Sequence, residues 1–427
     1  LVERDAAVVW HPYTQHLHMR APLPIVKGKG ASLIDENGNQ YIDAASSWWT
    51  SLHGHGHPFI AQKIYEQAMQ LEHVIFAGCT HEPAVSLAEQ LIELLPGNMS
   101  RIFYSDNGST AVEVALKMAM QYWRNSGRES LPARKRILAL KHSYHGDTFG
   151  AMSVSERGVF TLAFEEFLFN VRFLDPFHED LSLKQQCTGL DLEEVAAFIY
   201  EPVLQGAGGM NIIDREALND LLCHLKQHGV ICIADEVMTG FGRTGLLFAS
   251  DWLHHKPDII CLSKGLTGGT MALGATASTE KIFEAFLDED PRLTFFHGHS
   301  FTANPLACAA AIASLHLLQQ EECLAGIEYI TQRNRNFVNQ FSGHAGIRNL
   351  RSLGTILAFE MEREEKKYLS HIKEEVMRLA KAEGILLRPL GNTVYIMPPY
   401  CITAIQLEKV MAVLEKIIGM QPGADDQ

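Results

Sequence analysis

Two apolar runs in the middle of the chain each end on a single charged residue, and that pattern leaves few folds open. One is Gly229-Val-Ile-Cys-Ile-Ala-Asp235, followed by Glu236. The other is Pro257-Asp-Ile-Ile-Cys-Leu-Ser-Lys264, followed by Gly265. A continuous apolar run of this kind reads as a strand buried on both faces of a parallel sheet. In an open α/β sheet, ligands bind beyond the carboxyl ends of the strands. The two runs therefore predict a carboxylate and an amine delivered to one crevice. A lysine held among apolar neighbours gives up its proton more readily and becomes a nucleophile toward aldehydes.

The surrounding stretch alternates strands with helices. Residues 100–105, 136–141, 195–200, 230–234 and 259–262 read as strands, and apolar positions 111, 114, 115, 118, 119 and 122 mark a helix after the first of them. This predicts an α/β fold with a mostly parallel sheet. Near the start, Asn37-Gly38 is a turn signal between 31–35 and 40–43 within a small antiparallel meander. After residue 320 the pattern becomes helix (321–341), strand (355–360), helix (366–383), hairpin (384–398) and helix (404–418). That is a compact α+β unit. The meander has no core of its own and is expected to pack on it. The predicted division is 1–55 as the first part of a small domain, 56–320 as the large domain and 321–427 as the rest of the small one.

At 427 residues and 47% hydrophobic, the chain can fill a large core. Its formal net charge is −14 and it has no polybasic run, which argues against nucleic acid or anionic membranes as partners. No uninterrupted apolar stretch is long enough to span a bilayer. The start, Leu1-Val-Glu-Arg-Asp5, lacks the pattern of a secretory leader. None of the eight cysteines forms C-x-x-C, and Cys232 and Cys261 lie inside apolar runs. Reduced, buried thiols in the cytoplasm are the expectation.

Several loops could carry chemistry. Gly108-Ser109 lies between a strand end and a helix start, where backbone N–H groups bind phosphate. A plain serine cap is the alternative, but the Asp/Lys pair favours phosphate. In Ser143-Tyr-His-Gly-Asp-Thr148, Tyr144 could stack on a flat ligand and Asp147 could orient a polar group; an ordinary turn would look the same. Arg243, in Gly240-Phe-Gly-Arg-Thr-Gly245, is either a carboxylate contact or a solvent-facing loop residue. Arg388 is either an anion site or an edge residue with its head in water. The glycines of Glu201-Pro-Val-Leu-Gln-Gly-Ala-Gly-Gly209 lack the dinucleotide pattern. His53, His55 and His57 alternate with glycine, which suggests a turn; no nearby ligand completes a site, and no metal is expected. A carboxylate to hold a protonated ring nitrogen and an amine to meet an aldehyde are the two groups that pyridoxal phosphate chemistry needs.

The segments Ile233-Ala-Asp-Glu-Val-Met-Thr-Gly-Phe-Gly-Arg-Thr-Gly245 and Leu262-Ser-Lys-Gly-Leu-Thr-Gly-Gly269 resemble the class III pyridoxal-phosphate aminotransferases, and the likeness runs nearly end to end. It extends to Trp10-His-Pro-Tyr-Thr14, Ser46-Ser-Trp-Trp49, Tyr144-His-Gly-Asp-Thr-Phe-Gly-Ala-Met-Ser153 and Tyr395-Ile-Met-Pro-Pro-Tyr400. The resemblance implies the aspartate-aminotransferase-like fold of pyridoxal-phosphate-dependent transferases, with a seven-stranded sheet in the large domain. It implies that Lys264 bonds to the cofactor and shuttles a proton, that Asp235 pairs with the ring nitrogen, and that Gly108 and Ser109 bind the phosphate. Tyr144 and Val237 would cover the ring faces, and Ser300 would reach the phosphate from a second subunit of a homodimer. Tyr13 would assist catalysis and line the substrate slot with Trp48, Tyr144, Asp147, Gly298 and Tyr395. Arg388 would take a substrate carboxylate, with Arg243 as a secondary contact. Within the class the likeness is greatest to members of the biotin pathway. This implies transfer of an amino group from S-adenosylmethionine to 8-amino-7-oxononanoate, giving 7,8-diaminononanoate. Lysine as donor, or an ornithine, 4-aminobutyrate or ω-amino acid:pyruvate type of exchange, fits the class motifs as well. One departure is His299-Ser300, where the pattern has Pro-Thr; the serine keeps the hydroxyl.

Overall fold

The computed structural model describes residues 1–127, 134–362 and 371–420. A seven-stranded sheet runs, in spatial order, Met99–Ser105, Gly274–Thr279, Ile259–Leu262, Ile231–Asp235, Val195–Tyr200, Arg136–Leu140 and Val171–Leu174. The last five are parallel to one another. Gly274–Thr279 is antiparallel to both its neighbours. Every residue of the strands 195–200, 231–235 and 259–262 is buried. Successive side chains of a strand point to opposite faces. Ile231, Ile233, Ile259 and Cys261 accordingly pack in one cluster with Ala111, Ala115 and Ala119 of the helix Gly108–Gly127. Cys232, Ala234, Ile260 and Leu262 belong to the main core on the other face.

The two strands of the opening pattern are direct neighbours, with Asp235 opposite Cys261. Adjacent strands lie about 4.8 Å apart, so the residues just past their ends share one rim. The strands Val171–Leu174 and Gly274–Thr279 were not anticipated. The second, Gly-Ala-Thr-Ala-Ser-Thr, is too small and polar to carry a strand pattern.

A second unit holds two sheets. Ile347–Leu353, Ile356–Met361 and Thr393–Ile396 form an antiparallel sheet of three strands. Ile25–Lys29, Ser32–Asp35 and Gln40–Asp43 form the meander, and Ile385–Leu386 adds to it in parallel beside Gln40–Asp43. The expected hairpin over 384–398 is therefore not one. Its two strands pair in different sheets, and Arg388 lies on the crossing between them. The Asn37-Gly38 turn is closed by Asp35, whose Oδ1 accepts from the N–H groups of Asn37 at 3.0 Å and Asn39 at 2.8 Å. The helices Glu321–Phe341 and Ala404–Ile418 have the expected bounds. The helix expected over 366–383 is described as His371–Ala382, and 366–370 fall outside the described residues. Four cysteines are buried, but Cys79 and Cys401 are exposed, against expectation.

Residues 44–52 are tied to 397–400. Met397 N–H donates to Ala44 O at 2.8 Å, Ser46 Oγ to Met397 O at 2.7 Å, and Tyr400 N–H to Leu52 O at 2.8 Å. The helix Glu321–Phe341 braces that seam, since a Cβ on Gly326 would stand 2.4 Å from Tyr400 O. Alanine in a helix is normally about 1 kcal/mol better than glycine. Gly326→Ala is nevertheless expected to lower the urea midpoint, by an overpacking cost of roughly 1–3 kcal/mol. A raised midpoint would show that the helix does not brace Tyr400.

Candidate active site

Asp235 and Lys264 share one cavity of about 660 Å³ at the carboxyl ends of their strands. The Asp235 carboxylate is buried and held from two sides. His145 Nδ1 lies 2.7 Å from its Oδ2, and its Oδ1 accepts from Val237 N–H at 3.0 Å. The His145 ring is fully buried, and its Nε2 has no hydrogen-bond partner among the described residues. Lys264 keeps some accessible surface because it faces the cavity, but its amine is ringed by protein. Burial brings its pKa down to about 8, against the opposing pull of the Asp235 and Glu201 charges. Its Nζ lies 4.6 Å from the centre of the Trp49 ring. The backbone at Lys264 is left-handed, with φ +43°. Such strain in a lysine persists only where the surroundings hold it, commonly at functional sites.

The glycine at 108 is required by packing. A Cβ there would come within 2.7 Å of Val237 Cγ1. Gly108 also opens the 20-residue helix Gly108–Gly127, so free N–H groups and the positive end of the helix dipole face the cavity. Ser109 Oγ accepts from Asp147 N–H at 3.1 Å. Gly108, Ser109, Tyr144, Asp147, Val237, Asp235 and Lys264 all line this cavity. An anion cradle, an aromatic ring, an apolar side chain, a carboxylate and an amine of lowered pKa together fit pyridoxal phosphate.

A second cavity of about 870 Å³ shares Tyr144, Gly146 and Asp147 with the first. At this junction the Tyr13 hydroxyl donates to Asp147 and lies 3.2 Å from the Tyr144 hydroxyl. The Tyr13 ring meets Trp48 edge-on, with centres 5.4 Å apart, and the Arg388 guanidinium lies over the Trp48 ring, 4.0 Å from its centre. Lys373 lies close to Arg388: burial first, then the Arg388 charge, holds its pKa down. Neither cation lines either cavity; they reach the site through Trp48 and Tyr13, and two cations side by side suit a carboxylate.

The structure relocates some expected contacts. Arg243 is only 1% exposed and lines neither of these two cavities. It donates to Pro398 O at 3.1 Å and Trp49 O at 3.4 Å, which ties it to the 49–398 seam. Tyr395 is 2% exposed, and its hydroxyl accepts from Trp49 Nε1–H at 2.8 Å. It sits behind Trp49 and positions that ring. Gly298 and Ser300 are exposed on a loop outside both cavities. The histidines 53 and 55 have structural partners: His53 Nε2 is 3.1 Å from Ser314 Oγ, and His55 Nε2 is 2.8 Å from Asp43 Oδ2. Among the described residues no group of three or more histidine, cysteine or acidic side chains could hold a metal.

Three site residues escaped the sequence reading. Trp49, the neighbour of Trp48, faces Lys264. His145 supports Asp235. Glu201 lines the cavity and accepts from the N–H groups of Gly206 at 2.9 Å and Tyr144 at 3.3 Å. Burial lifts its pKa to about 7. The signal was present for Glu201: it follows the buried strand Val195–Tyr200 as Asp235 ends the neighbouring one.

Residues 13–418 match the family model for class III aminotransferases. The chain is 46% identical to the adenosylmethionine-8-amino-7-oxononanoate aminotransferase of Synechococcus elongatus, over 96% of this chain and 98% of the relative. It is 34% identical to the enzyme of that name from Staphylococcus aureus, over 98% and 97%. Among solved structures, that aminotransferase from Methanocaldococcus jannaschii is similar with a TM-score of 0.92 and 33% identity, over 98% of both chains. An omega transaminase from Pseudomonas jessenii in complex with PMP is similar with a TM-score of 0.91 and 27% identity, over 98% of this chain and 97% of that one.

The Lys264 environment can be tested on the cofactor-free protein. Competitive acetylation read by peptide mass spectrometry is expected to show half-reactivity near pH 8 at Lys264, against 10.5 for an ordinary lysine. Asp235→Asn removes a charge that favours the ammonium form, so it should shift that midpoint lower. A wild-type midpoint near 10.5 would mean that the amine is solvated.

Proposed function

The chain belongs to the class III aminotransferases, and on that premise we propose that it moves an amino group from S-adenosylmethionine to 8-amino-7-oxononanoate, forming 7,8-diaminononanoate for biotin synthesis. The observation that carries the transaminase reading is the enclosed Lys264 amine beside the His145-held Asp235 carboxylate. The names of the full-length relatives support the choice of substrates.

The cofactor is pyridoxal 5′-phosphate, which when bound supplies an electron sink and carries the amino group between the two substrates. Gly108 and Ser109 would hold its phosphate at the helix start, and Tyr144 and Val237 would contact the ring. Asp235, oriented by His145, would hold a proton at the ring nitrogen. Lys264 Nζ, whose pKa burial brings down to about 8, would take a proton from the donor Cα and later return one to the acceptor carbon. Tyr13 is held by Asp147 at the mouth of the slot and helps exclude water from it.

Arg388 sets the register of the oxo acid. Stacked on Trp48, the guanidinium keeps its N–H edge free for a carboxylate. The middle of the substrate is apolar and gains little orientation from hydrogen bonds, so the terminal ion pair decides where it sits. In the proposed homodimer, Gly298 and Ser300 complete the partner's site, which agrees with their exposed position outside this chain's cavities. The proposed domains are a large one, 56–320, and a small one made of 1–55 and 321–427. The proposed compartment is the cytoplasm, in keeping with eight free cysteines. No helix among the described residues is long and apolar enough to cross a membrane.

Mixing the loaded enzyme separately with S-adenosylmethionine and with lysine, and following the cofactor's visible absorption through a single turnover, tests the donor. A change with S-adenosylmethionine alone is expected; a change with lysine alone would replace it as donor. Arg388→Ala should weaken the oxo-acid half-reaction roughly 10- to 100-fold, the loss of a charged hydrogen-bond pair. The donor half-reaction should change by less than about 3-fold on the same scale. Equal losses in both halves would remove Arg388 from the carboxylate site.

A further inference from the structure

Phe160 has no part in the chemistry described so far, yet it stands at the junction of the two cavities. Its ring centre is 5.7 Å from that of Tyr13, at 82°, and 6.5 Å from that of Tyr144, at 63°. Rings at such angles form walls, not a stack. The Asp147 carboxylate joins the same group through the Tyr13 hydroxyl and lines both cavities, and Phe160 lines the larger one. Three aromatic rings with one carboxylate form a site for an organic cation, because the electron-rich ring faces attract positive charge that is poorly hydrated.

We infer that Phe160 is a specificity-determining residue that recognises the sulfonium centre of the amino donor, together with Tyr13, Tyr144 and Asp147. This rests on the S-adenosylmethionine reading above. The sulfonium sulfur is four bonds from the nitrogen that reacts at Lys264, so it lies close to the reacting end of the donor. Tyr144 and Asp147 border the Lys264 cavity and the larger one alike, which places a cation at that remove beside Phe160. The adenosyl group then points into the larger cavity, whose lining includes the polar Asn211, Asn349 and Asn392. The oxo acid bears an ammonium on the carbon next to its reacting ketone, but that cation is compact and strongly hydrated, unlike a sulfonium; its carboxylate is drawn to Arg388 and Lys373 beyond Trp48. One slot thus offers an aromatic box to the poorly hydrated sulfonium and a cationic end to the distant carboxylate of the oxo acid.

The test compares S-adenosylmethionine with S-adenosylhomocysteine, which has the same adenosyl and amino acid parts but a neutral sulfur. Binding to the cofactor-loaded enzyme is measured by calorimetry and by single-turnover titration. Wild type is expected to favour the sulfonium, and Phe160→Leu, which keeps most of the volume, to lose on the order of 3- to 30-fold in affinity for it. Affinity for the neutral sulfide should fall less than about 3-fold on that scale. Phe160→Tyr keeps a ring and should keep the preference. Parallel losses for both ligands, or no loss for the sulfonium, would overturn the inference and leave the transaminase reading standing. A wild-type enzyme that does not react with S-adenosylmethionine would overturn the donor and this inference together. If Phe160→Leu does not fold, the wild-type comparison decides: equal affinity for the two sulfur compounds overturns the inference.

Discussion

The site depends on one piece of strand pairing. Ile231–Asp235 lies in parallel beside Ile259–Leu262, both wholly buried. Because both strands run the same way, their ends emerge on the same rim. Because both are covered by apolar layers, the charged residues at those ends cannot turn back into the sheet. Asp235 and Lys264 are left facing one crevice. The neighbouring strand Val195–Tyr200 follows the same rule and brings Glu201 to it. Burial acts oppositely on the two kinds of charge, raising the carboxyl pKa of Glu201 and lowering the amine pKa of Lys264.

Around that rim the backbone is held in strained conformations. Lys264 has φ +43°, and Ser46, Ser47 and Trp49 have φ +50°, +60° and +67°. Positive φ in such residues costs of order 1–3 kcal/mol each and needs support from elsewhere. Asp43 supplies part of it by accepting from Ser47 N–H at 2.7 Å and Ala45 N–H at 3.2 Å. Ser46 and Arg243 supply the rest through Met397 and Pro398. The result is that Trp48 and Trp49, adjacent in sequence, do different work. Trp48 carries Arg388, and Trp49 lies over Lys264 with its N–H fixed by Tyr395. The meander and the final strands are therefore part of the site although neither holds the lysine.

Arg243 shows why residue type alone misleads. A guanidinium in a glycine-rich loop has the chemistry to bind a carboxylate, and the sequence offered no reason to bury it. In the fold it lies over the Tyr400 ring and between the carbonyls of Trp49 and Pro398, where its charge helps hold the Lys264 pKa down. Glycine patterns were similarly ambiguous. Gly108 proved informative because of the Val237 methyl group that occupies the space of its missing Cβ, a contact between segments 129 positions apart.

The sequence by itself determined the strands that end in charge, the helix that begins at Gly108, and the long helices at 321–341 and 404–418. These follow from apolar periodicity and local composition, which report burial over a few residues at a time. It also carried the family motifs that identify the transaminase chemistry. Only the tertiary structure decided that Ile385–Leu386 and Thr393–Ile396 belong to different sheets, that Tyr395 and Arg243 stand behind the slot, and that Trp49 and Glu201 enter it. Those outcomes depend on where irregular segments are pinned by partners far away in the chain, as Ser46 is by Met397. No local pattern records such a contact, because the two residues meet only once the sheets have assembled.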